Sequence, residues 1–157
     1  MKQLATFGAG CFWGVESLFA AQNGVTQTSV GYMGGHTAQV NYAAICQGDT
    51  GHAEVVQITF DDSIITYSQL LEMFWQNHNP TTPNQQGPDF GTQYRSVVFY
   101  NNESQRQLAL DMRKTLDESD AFRAPIVTII EPAVIYHLAE TYHQKYLLKR
   151  GQTSCSI

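Results

Sequence analysis

The sequence predicts an α+β fold: a two-layer sandwich with a ferredoxin-like split βαβ core, a mixed or antiparallel sheet and long irregular loops. Segments with strand and helix patterns alternate along the 157 residues, which favours helices packed against a sheet. Long polar segments containing glycine or proline interrupt this alternation. Hydrophobic residues make up 43% of the chain, enough for the core of one ordinary domain. We therefore expect a single domain over residues 1–157.

The first half of the chain places a helix directly after a buried strand. Glycines at positions 8 and 10 break the apolar run, and a helical pattern then brings Trp13 or Val15, and later Leu18 and Phe19, inward. The alternation of apolar and polar residues over 53–60 predicts the third strand, with Val56, Ile58 and Phe60 on one face. The predicted order is strand 4–7, helix from Cys11, strand 25–32, a polar loop to about residue 51 with one helical turn at 42–46, and strand 53–60.

The second half carries clear helix-capping signals. Thr66 and Gln69 form a capping box, and Asn102 can cap a later helix that carries Leu108, Met112 and Leu116. The predicted order is helix 66–77, an irregular segment 79–91, strand 94–100, helix 103–117, a short apolar strand 126–130, helix 139–148 and a flexible tail 151–157.

Composition excludes several classes of protein. The net charge of −5 argues against nucleic acid as the main partner, because such binding needs a clustered basic face. No apolar stretch approaches the roughly 20 residues of a membrane span, and no signal peptide precedes the first strand, so we expect a cytoplasmic protein. Three cysteines without a C-x-x-C pair form neither a disulfide scaffold nor a metal site. We expect no metal and no organic cofactor.

Cys11 is the first candidate for chemistry, because it lies where a strand turns into a helix. The unpaired N–H groups and the positive end of the helix dipole favour a thiolate there, and can lower the thiol pKa from about 8.5 by one or more units. Gly10 and Gly14 leave room for a substrate beside the sulfur, and two aromatic residues after it can wall an apolar pocket. The alternative is a small buried apolar residue, which most free cysteines are.

Glu54 is the candidate acid. It stands at the start of an apolar strand, and if it points inward, burial raises its pKa above about 4.3 and makes it a proton donor. The alternative is a strand-end glutamate in water. Tyr42 and Tyr94 lie in or beside glycine-containing loops and as a pair could hold a substrate oxygen through their hydroxyl groups, although half-buried packing is right for most tyrosines.

His52 and two further cysteines have weaker signals. His52 could act as the base of a cysteine–histidine pair, but we prefer a loop residue that bonds to backbone. Cys155, in the tail, is suited to trap a sulfenic acid on Cys11 as a disulfide, although an incidental surface cysteine is the alternative. Cys46 lies within an apolar turn and is most simply a buried residue that packs in the core.

Five ordered motifs resemble those of the peptide methionine sulfoxide reductases of type A, and the likeness spans almost the whole chain. They are GCFWG at residues 10–14, GYMGG at 31–35, GHAE at 51–54, GTQYRS at 91–96 and YHQKYL at 142–147. The resemblance implies reduction of the S epimer of methionine sulfoxide, free or in proteins, and thus the repair of oxidative damage.

The resemblance also implies roles for individual residues. Cys11 would be the nucleophile, and Phe12 and Trp13 would hold the S-methyl group of the substrate. Glu54 would donate a proton to the sulfoxide oxygen. The other implied members of the site are Tyr42 and Tyr94, which would hydrogen-bond that oxygen, and Asp89, which would support the site.

The same resemblance implies how the Cys11 thiol is regenerated after each turnover. A Cys11–Cys155 disulfide would be reduced by thioredoxin or another dithiol, and we assume a monomer. Three departures from the family pattern are the pair Val40-Asn41 before Tyr42, the residues Pro88 and Phe90 around Asp89, and the end of the chain at Ile157, which favours a relay of two cysteines over three.

Two rival functions remain open at this point. The first is a hydrolase or acyltransferase that uses Cys11 and His52. The second is a non-enzymatic redox sensor in which a Cys11–Cys155 bridge alters the binding of a partner.

Overall fold

The computed structural model describes residues 2–35, 42–46, 50–119, 121–140 and 143–144, and at residues 42 and 46 the backbone alone. Within these ranges the helices are α1 (Phe12–Ala20), α2 (Tyr42–Cys46), α3 (Tyr67–Gln76) and α4 (Glu103–Glu118). The strands are β1 (Lys2–Ala9), β2 (Val25–Met33), β3 (Ala53–Asp61), β4 (Gln85–Gln86), β5 (Asp89–Phe90), β6 (Ser96–Tyr100), β7 (Ile129–Pro132) and β8 (His137–Leu138). No helix in this part of the chain is both long enough and apolar enough to span a bilayer.

Six strands form one mixed sheet in the order β7-β6-β1-β3-β2-β8. Every neighbouring pair is antiparallel except β6 and β7, which run parallel. Because β1 and β2 both pair antiparallel with β3, they run parallel to each other on either side of it, and α1 connects them in a split βαβ arrangement. The predicted α+β class with a mixed, mostly antiparallel sheet is confirmed.

The main core lies between this sheet and the helices. Alternate residues of β3 point to one face, and Val56, Ile58 and Phe60 are buried there as predicted. α3 contributes Leu70 and Phe74 to the same core. The capping box that begins α3 is present, since the Gln69 N–H donates to Thr66 Oγ1 at 3.1 Å and the Thr66 N–H donates to Gln69 Oε1 at 2.8 Å.

A smaller core covers the opposite face of the sheet. Met33, Val55 and Phe99 are buried there, and Tyr136 from the segment between β7 and β8 packs against them. Because β7 and β8 lie at opposite edges of the sheet, this segment crosses the whole second face. The absence of a side chain at Gly31 allows the crossing, since a Cβ there would lie 2.4 Å from the His137 carbonyl oxygen.

Several predicted elements differ from the observed ones. Residues 79–91 were predicted to be irregular but contain the β4–β5 hairpin, and β8 was not predicted. The strand predicted at 94–100 starts at Ser96, after a 3₁₀ turn over Thr92–Tyr94. The inward face of α1 carries Phe12, Glu16 and Phe19, whereas Trp13, Val15 and Leu18 are only partly buried.

The C-terminal elements differ more. The strand predicted at 126–130 is β7, shifted toward the C-terminus, because the Val127 N–H donates to the Pro80 carbonyl at 2.7 Å and the Ile126 N–H to Asp117 Oδ1 at 3.0 Å instead of joining the sheet. The helix predicted at 139–148 is not helical at 139–140, and most of its remainder lies outside the described residues, as does the tail 151–157.

Candidate active site

The candidate site lies at one end of the sheet, where four strand ends meet. β1 ends at Ala9, which pairs with Ser96 at the start of β6. The end of β2 pairs with the start of β3, with Tyr32 opposite Glu54. The antiparallel order of the sheet therefore brings the exit of β1 beside the starts of β3 and β6, although these segments are far apart in the sequence.

Glycines allow the strands to approach closely at this end. A Cβ at Gly8 would lie 3.2 Å from the Glu54 carbonyl oxygen and 3.4 Å from that of Arg95. Gly10 has φ +96°, a left-handed conformation that residues with a Cβ avoid. A Cβ at Gly10 would also lie 2.7 Å from Cγ of Gln86, so the turn before Cys11 requires glycine.

Cys11 is the N-cap residue of α1, and it is partly buried. The first N–H groups of a helix lack partners within the helix, and the helix dipole adds positive potential at this end. The predicted place of Cys11, at the turn from strand to helix, is confirmed, and by general physical argument this position favours negative charge on the sulfur.

Glu54 lies against the same helix terminus. Its Oε1 accepts a hydrogen bond from the Phe12 N–H at 3.3 Å, and only 2% of the residue is exposed. Glu54 shares a face of β3 with Val56 and Ile58, which is the face that α1 covers. The carboxyl group is therefore buried, and it lies against the peptide N–H of the residue that follows Cys11.

An aromatic cluster lies beside Cys11. The Phe12 ring centroid is 5.7 Å from that of Tyr32 and 5.3 Å from that of His143. Trp13 stacks on His143 with centroids 5.5 Å apart and is partly exposed, whereas Phe12 is buried. The cluster offers an apolar surface next to the sulfur on which a small apolar group can pack.

His143 orients Trp13. The Trp13 Nε1–H donates to His143 Nδ1 at 3.1 Å, and His143 Nε2 lies 3.3 Å from Glu140 Oε2. Burial lowers the pKa of His143, and the Glu140 carboxylate opposes this shift without cancelling it. His143 is therefore neutral near pH 7, with Nδ1 as the acceptor and its proton on Nε2 toward Glu140.

The β4–β5 hairpin flanks the turn before Cys11. Gln86 pairs with Asp89, and paired residues of adjacent strands point to the same face. Because the Gln86 side chain contacts Gly10, this register places Asp89 on the hairpin face turned toward Gly10. Phe90 lies on the other face and is 71% exposed.

Tyr94 ends the 3₁₀ turn that leads into β6 and is partly buried. Its N–H donates to the Gly91 carbonyl at 3.0 Å. Ser96 pairs with Ala9, so the start of β6 lies beside the end of β1, and Tyr94 lies two residues before that start. Tyr94 is thus brought to the end of the sheet where Cys11 lies.

His52 is held by loop backbone. It is 3% exposed, its Nδ1 accepts a hydrogen bond from the Gly35 N–H at 3.0 Å, and its ring contacts that of His137 edge to face at 5.1 Å. Nδ1 is therefore not available as a base, which favours the structural interpretation of His52 over a cysteine–histidine pair.

The described residues do not include the side chains of Tyr42, Cys46 and Cys155. The backbone of Tyr42 starts α2 and that of Cys46 ends it, while Cys155 lies outside the described residues. The sequence interpretation gave no role to His143, Tyr32 or Gln86. His143 lies in the YHQKYL segment, which signalled a motif without a role, and the contact of Gln86 with Gly10 has no local sequence signal.

A cysteine at the start of a helix, with a buried carboxyl group on the next peptide N–H, defines a thiol-dependent enzyme on an α+β sheet. Comparison with known proteins agrees and is more specific. The family model for peptide methionine sulfoxide reductase matches residues 3–157, and this chain belongs to that family.

Individual relatives cover nearly all of the chain. The peptide methionine sulfoxide reductase MsrA of Methanothermobacter thermautotrophicus is 56% identical, over 98% of this chain and 90% of its own. Reduced Mxr1 of Saccharomyces cerevisiae has a TM-score of 0.89 at 35% identity, covering 96% of this chain and 87% of its own. Methionine sulfoxide reductase A of Corynebacterium diphtheriae has a TM-score of 0.83 at 34% identity, covering 96% and 76%. Mxr1 is also known in an unusual oxidized form and in complex with Trx2.

Proposed function

We propose that this chain reduces methionine S-sulfoxide, free or in proteins, to methionine, with Cys11 as nucleophile and Glu54 as proton donor. One observation carries the proposal: the buried hydrogen bond from the Phe12 N–H to Glu54 Oε1. It holds a carboxyl group, shielded from water, against the residue that follows the thiol.

The first step transfers oxygen from the substrate to Cys11. The sulfoxide sulfur is electrophilic, but its oxygen leaves poorly until it is protonated. The Cys11 thiolate attacks the sulfur while Glu54, whose Oε1 accepts the Phe12 N–H, donates a proton to the oxygen. The attack forms a bond between the Cys11 sulfur and the substrate sulfur. The protonated oxygen then moves as hydroxyl to the Cys11 sulfur while the S–O and S–S bonds to the substrate sulfur break. The thioether leaves reduced by two electrons, and Cys11, oxidised by two electrons, becomes a sulfenic acid. General-acid assistance of this kind is worth about 10²–10⁴ in rate.

The neighbouring residues select and orient the substrate. Phe12 and Trp13 supply the apolar surface for the S-methyl group, and their contacts with His143 support this assignment. We assign hydrogen bonds to the sulfoxide oxygen to Tyr42 and Tyr94. Asp89 and His52 support substrate binding. Asp89 does so from the β4–β5 hairpin, and His52 does so by holding the loop at Gly35.

The second step regenerates the thiols. The Cys155 thiol attacks the sulfenic acid on Cys11, water leaves, and a Cys11–Cys155 disulfide forms. A dithiol protein such as thioredoxin, with a reduction potential of about −270 mV, then reduces this disulfide by thiol–disulfide exchange. The complex of Mxr1 with Trx2 is an instance of such a pairing in a protein of this family. No prosthetic group takes part in this scheme.

The proposal extends to the organisation of the chain. Residues 1–157 act as one catalytic domain, with residues 151–157 as the tail that carries the resolving Cys155. We propose that the protein works as a monomer in the cytoplasm, on oxidised free methionine and on oxidised proteins, in the repair of oxidative damage.

The test is an assay of both epimers of a blocked methionine sulfoxide with a simple dithiol. We expect steady turnover of the S epimer only, no turnover by Cys11→Ser, and a first step slowed about 10²–10⁴-fold in Glu54→Gln. Cys155→Ser, with thioredoxin as reductant, stops after one equivalent and leaves a sulfenic acid that dimedone traps. Cys46→Ser is the control for loss of a thiol and keeps wild-type turnover.

The same assay separates the rivals. Full turnover by Glu54→Gln would mean that another group donates the proton. Turnover of an acyl ester that depends on His52 would support the hydrolase, and a single turnover by the wild type with excess dithiol would support a sensor.

A further inference from the structure

We propose that Gln86 is a positioning residue for Cys11, because its side chain fixes the turn through which the chain leaves β1. The inference rests on the proposed role of Cys11 as nucleophile and adds a residue that has no assigned part in the reaction. Two sets of contacts carry it, one to Gly10 and one to Asn79.

The aliphatic part of Gln86 lies directly on Gly10. A Cβ built on Gly10 would be 2.7 Å from Cγ and 2.8 Å from Cβ of Gln86, so these methylene groups occupy the space where a side chain would be. Gly10 has φ +96° and immediately precedes the N-cap residue of α1. The Gln86 side chain therefore limits rotation of the backbone that aims Cys11.

The amide end of Gln86 is held by a single residue. Gln86 Oε1 accepts a hydrogen bond from the Asn79 N–H at 2.7 Å, and Nε2 donates to the Asn79 carbonyl at 2.8 Å. The Asn79 side chain is itself bound, since its Oδ1 accepts the Thr81 N–H at 3.0 Å. These contacts engage both ends of the Gln86 side chain and therefore restrict its rotation.

The position of the Cys11 sulfur depends on this contact. The stabilisation of an anion by a helix terminus falls off within one turn, so a small rotation at Gly10 changes the charge stabilisation on Cys11. The same rotation changes the distance from the sulfur to the Glu54 carboxyl group, which is held separately through Phe12. Loss of the Gln86 side chain should therefore lower thiolate reactivity without removing any group that touches the substrate.

The experiment measures alkylation of Cys11 by iodoacetamide as a function of pH, followed by mass spectrometry of the peptide that contains Cys11. We expect Gln86→Ala to lower the rate at pH 7 roughly fivefold and to move the midpoint of the pH profile upward. Gln85→Ala is the matched control, because Gln85 lies on the same short strand with its side chain on the opposite face. It should stay within about twofold of the wild type.

A second variant separates positioning from simple destabilisation. Gln86→Met keeps methylene groups against Gly10 but loses the bonds to Asn79, and we expect an alkylation rate between those of Gln86→Ala and the wild type. Rates are measured well below each variant's melting temperature. In sulfoxide turnover, Gln86→Ala should lower kcat and leave KM unchanged.

Equal alkylation profiles for Gln86→Ala and Gln85→Ala would overturn the inference, as would equal impairment in Gln86→Met and Gln86→Ala. Alkylation needs no sulfoxide. Failure of the wild type to reduce sulfoxide would therefore contradict the proposed function, and the alkylation profiles would still decide the role of Gln86.

Discussion

At the scale of single residues, the hydrogen bond between Trp13 and His143 depends on protonation. His143 Nδ1 accepts the indole N–H, so it must carry no proton of its own. Burial lowers the pKa of His143, which keeps this nitrogen an acceptor at neutral pH. Acid therefore releases Trp13 when the ring takes up a second proton, and the apolar surface beside Cys11 loses its fixed orientation.

This dependence gives a kinetic prediction. His143→Phe keeps a ring against Trp13 and Phe12 but removes the acceptor, so KM for a methyl sulfoxide should rise about threefold at neutral pH. In the wild type, KM should be constant at neutral pH and rise as the pH falls through the lowered pKa of His143; the variant should lack this rise. The measurement is steady-state kinetics from about pH 8 to 5.

Alkylation of Cys11 serves as the internal control, because His143 contacts the aromatic cluster rather than the turn at Gly10. It should be unchanged in His143→Phe. A wild-type KM with a wild-type pH profile in this variant would contradict the role given to His143.

At the scale of secondary-structure elements, the capping residues at the start of a helix are a local sequence signal that also stabilises the fold. The Thr66–Gln69 capping box satisfies two backbone N–H groups of α3, the helix that carries Leu70 and Phe74 into the core. We expect Thr66→Ala to lower the free energy of unfolding by about 1 kcal/mol. Urea unfolding at neutral pH measures this. Thr115→Ala is the control, because Thr115 is exposed within α4, where alanine favours the helix.

The elements that the sequence predicted are those whose signals are local. Alternation of apolar residues predicted β3, and caps predicted α3 and α4, whereas the sequence left open whether the Glu54 carboxyl group is buried. The β4–β5 hairpin and β8 were missed because two-residue strands carry no periodicity and exist through distant partners. β8, for example, forms where His137 pairs with Tyr32.

The same distinction holds for the site. Cys11 and Glu54 could be found because each stands at an element boundary with a chemical signature. The contacts of Trp13 with His143 and of Gly10 with Gln86 join residues that no local pattern relates. Spacing along the chain cannot supply such pairs; only the register of the folded sheet and its loops does.

At the scale of the whole molecule, a buried polar chain joins α3 to the sheet. His78 Nδ1 bonds to the Phe74 carbonyl, and Nε2 lies 2.7 Å from Ser96 Oγ. Ser96 Oγ lies 2.7 Å from Thr128 Oγ1, which also accepts the Trp75 Nε1–H at 3.0 Å. Burial lowers the pKa of His78 from 6.5 to about 4, and the bond to Phe74 opposes this shift.

The stability of the protein should therefore fall in mild acid. The unfolded chain takes up a proton on His78 below pH 6.5, whereas the folded protein resists until about pH 4, so the stabilisation is complete above pH 6.5 and is lost between these values. The loss should be about 2 kcal/mol between pH 7 and pH 5. Urea unfolding at both pH values measures it, and His78→Gln should lack this part of the drop. An identical drop in this variant would mean that other groups cause it.

The pairing of Trp13 with His143 also has a consequence for synthesis, because 130 residues separate the two. A chain leaves the ribosome from its N-terminus, so β1, α1 and the cysteine between them emerge long before the ring that orients the tryptophan. Until translation reaches that ring, the nascent protein carries Cys11 beside an indole that does not yet have its histidine partner. Ribosome-bound intermediates therefore hold Cys11 and Trp13 before they hold the histidine that completes the aromatic cluster.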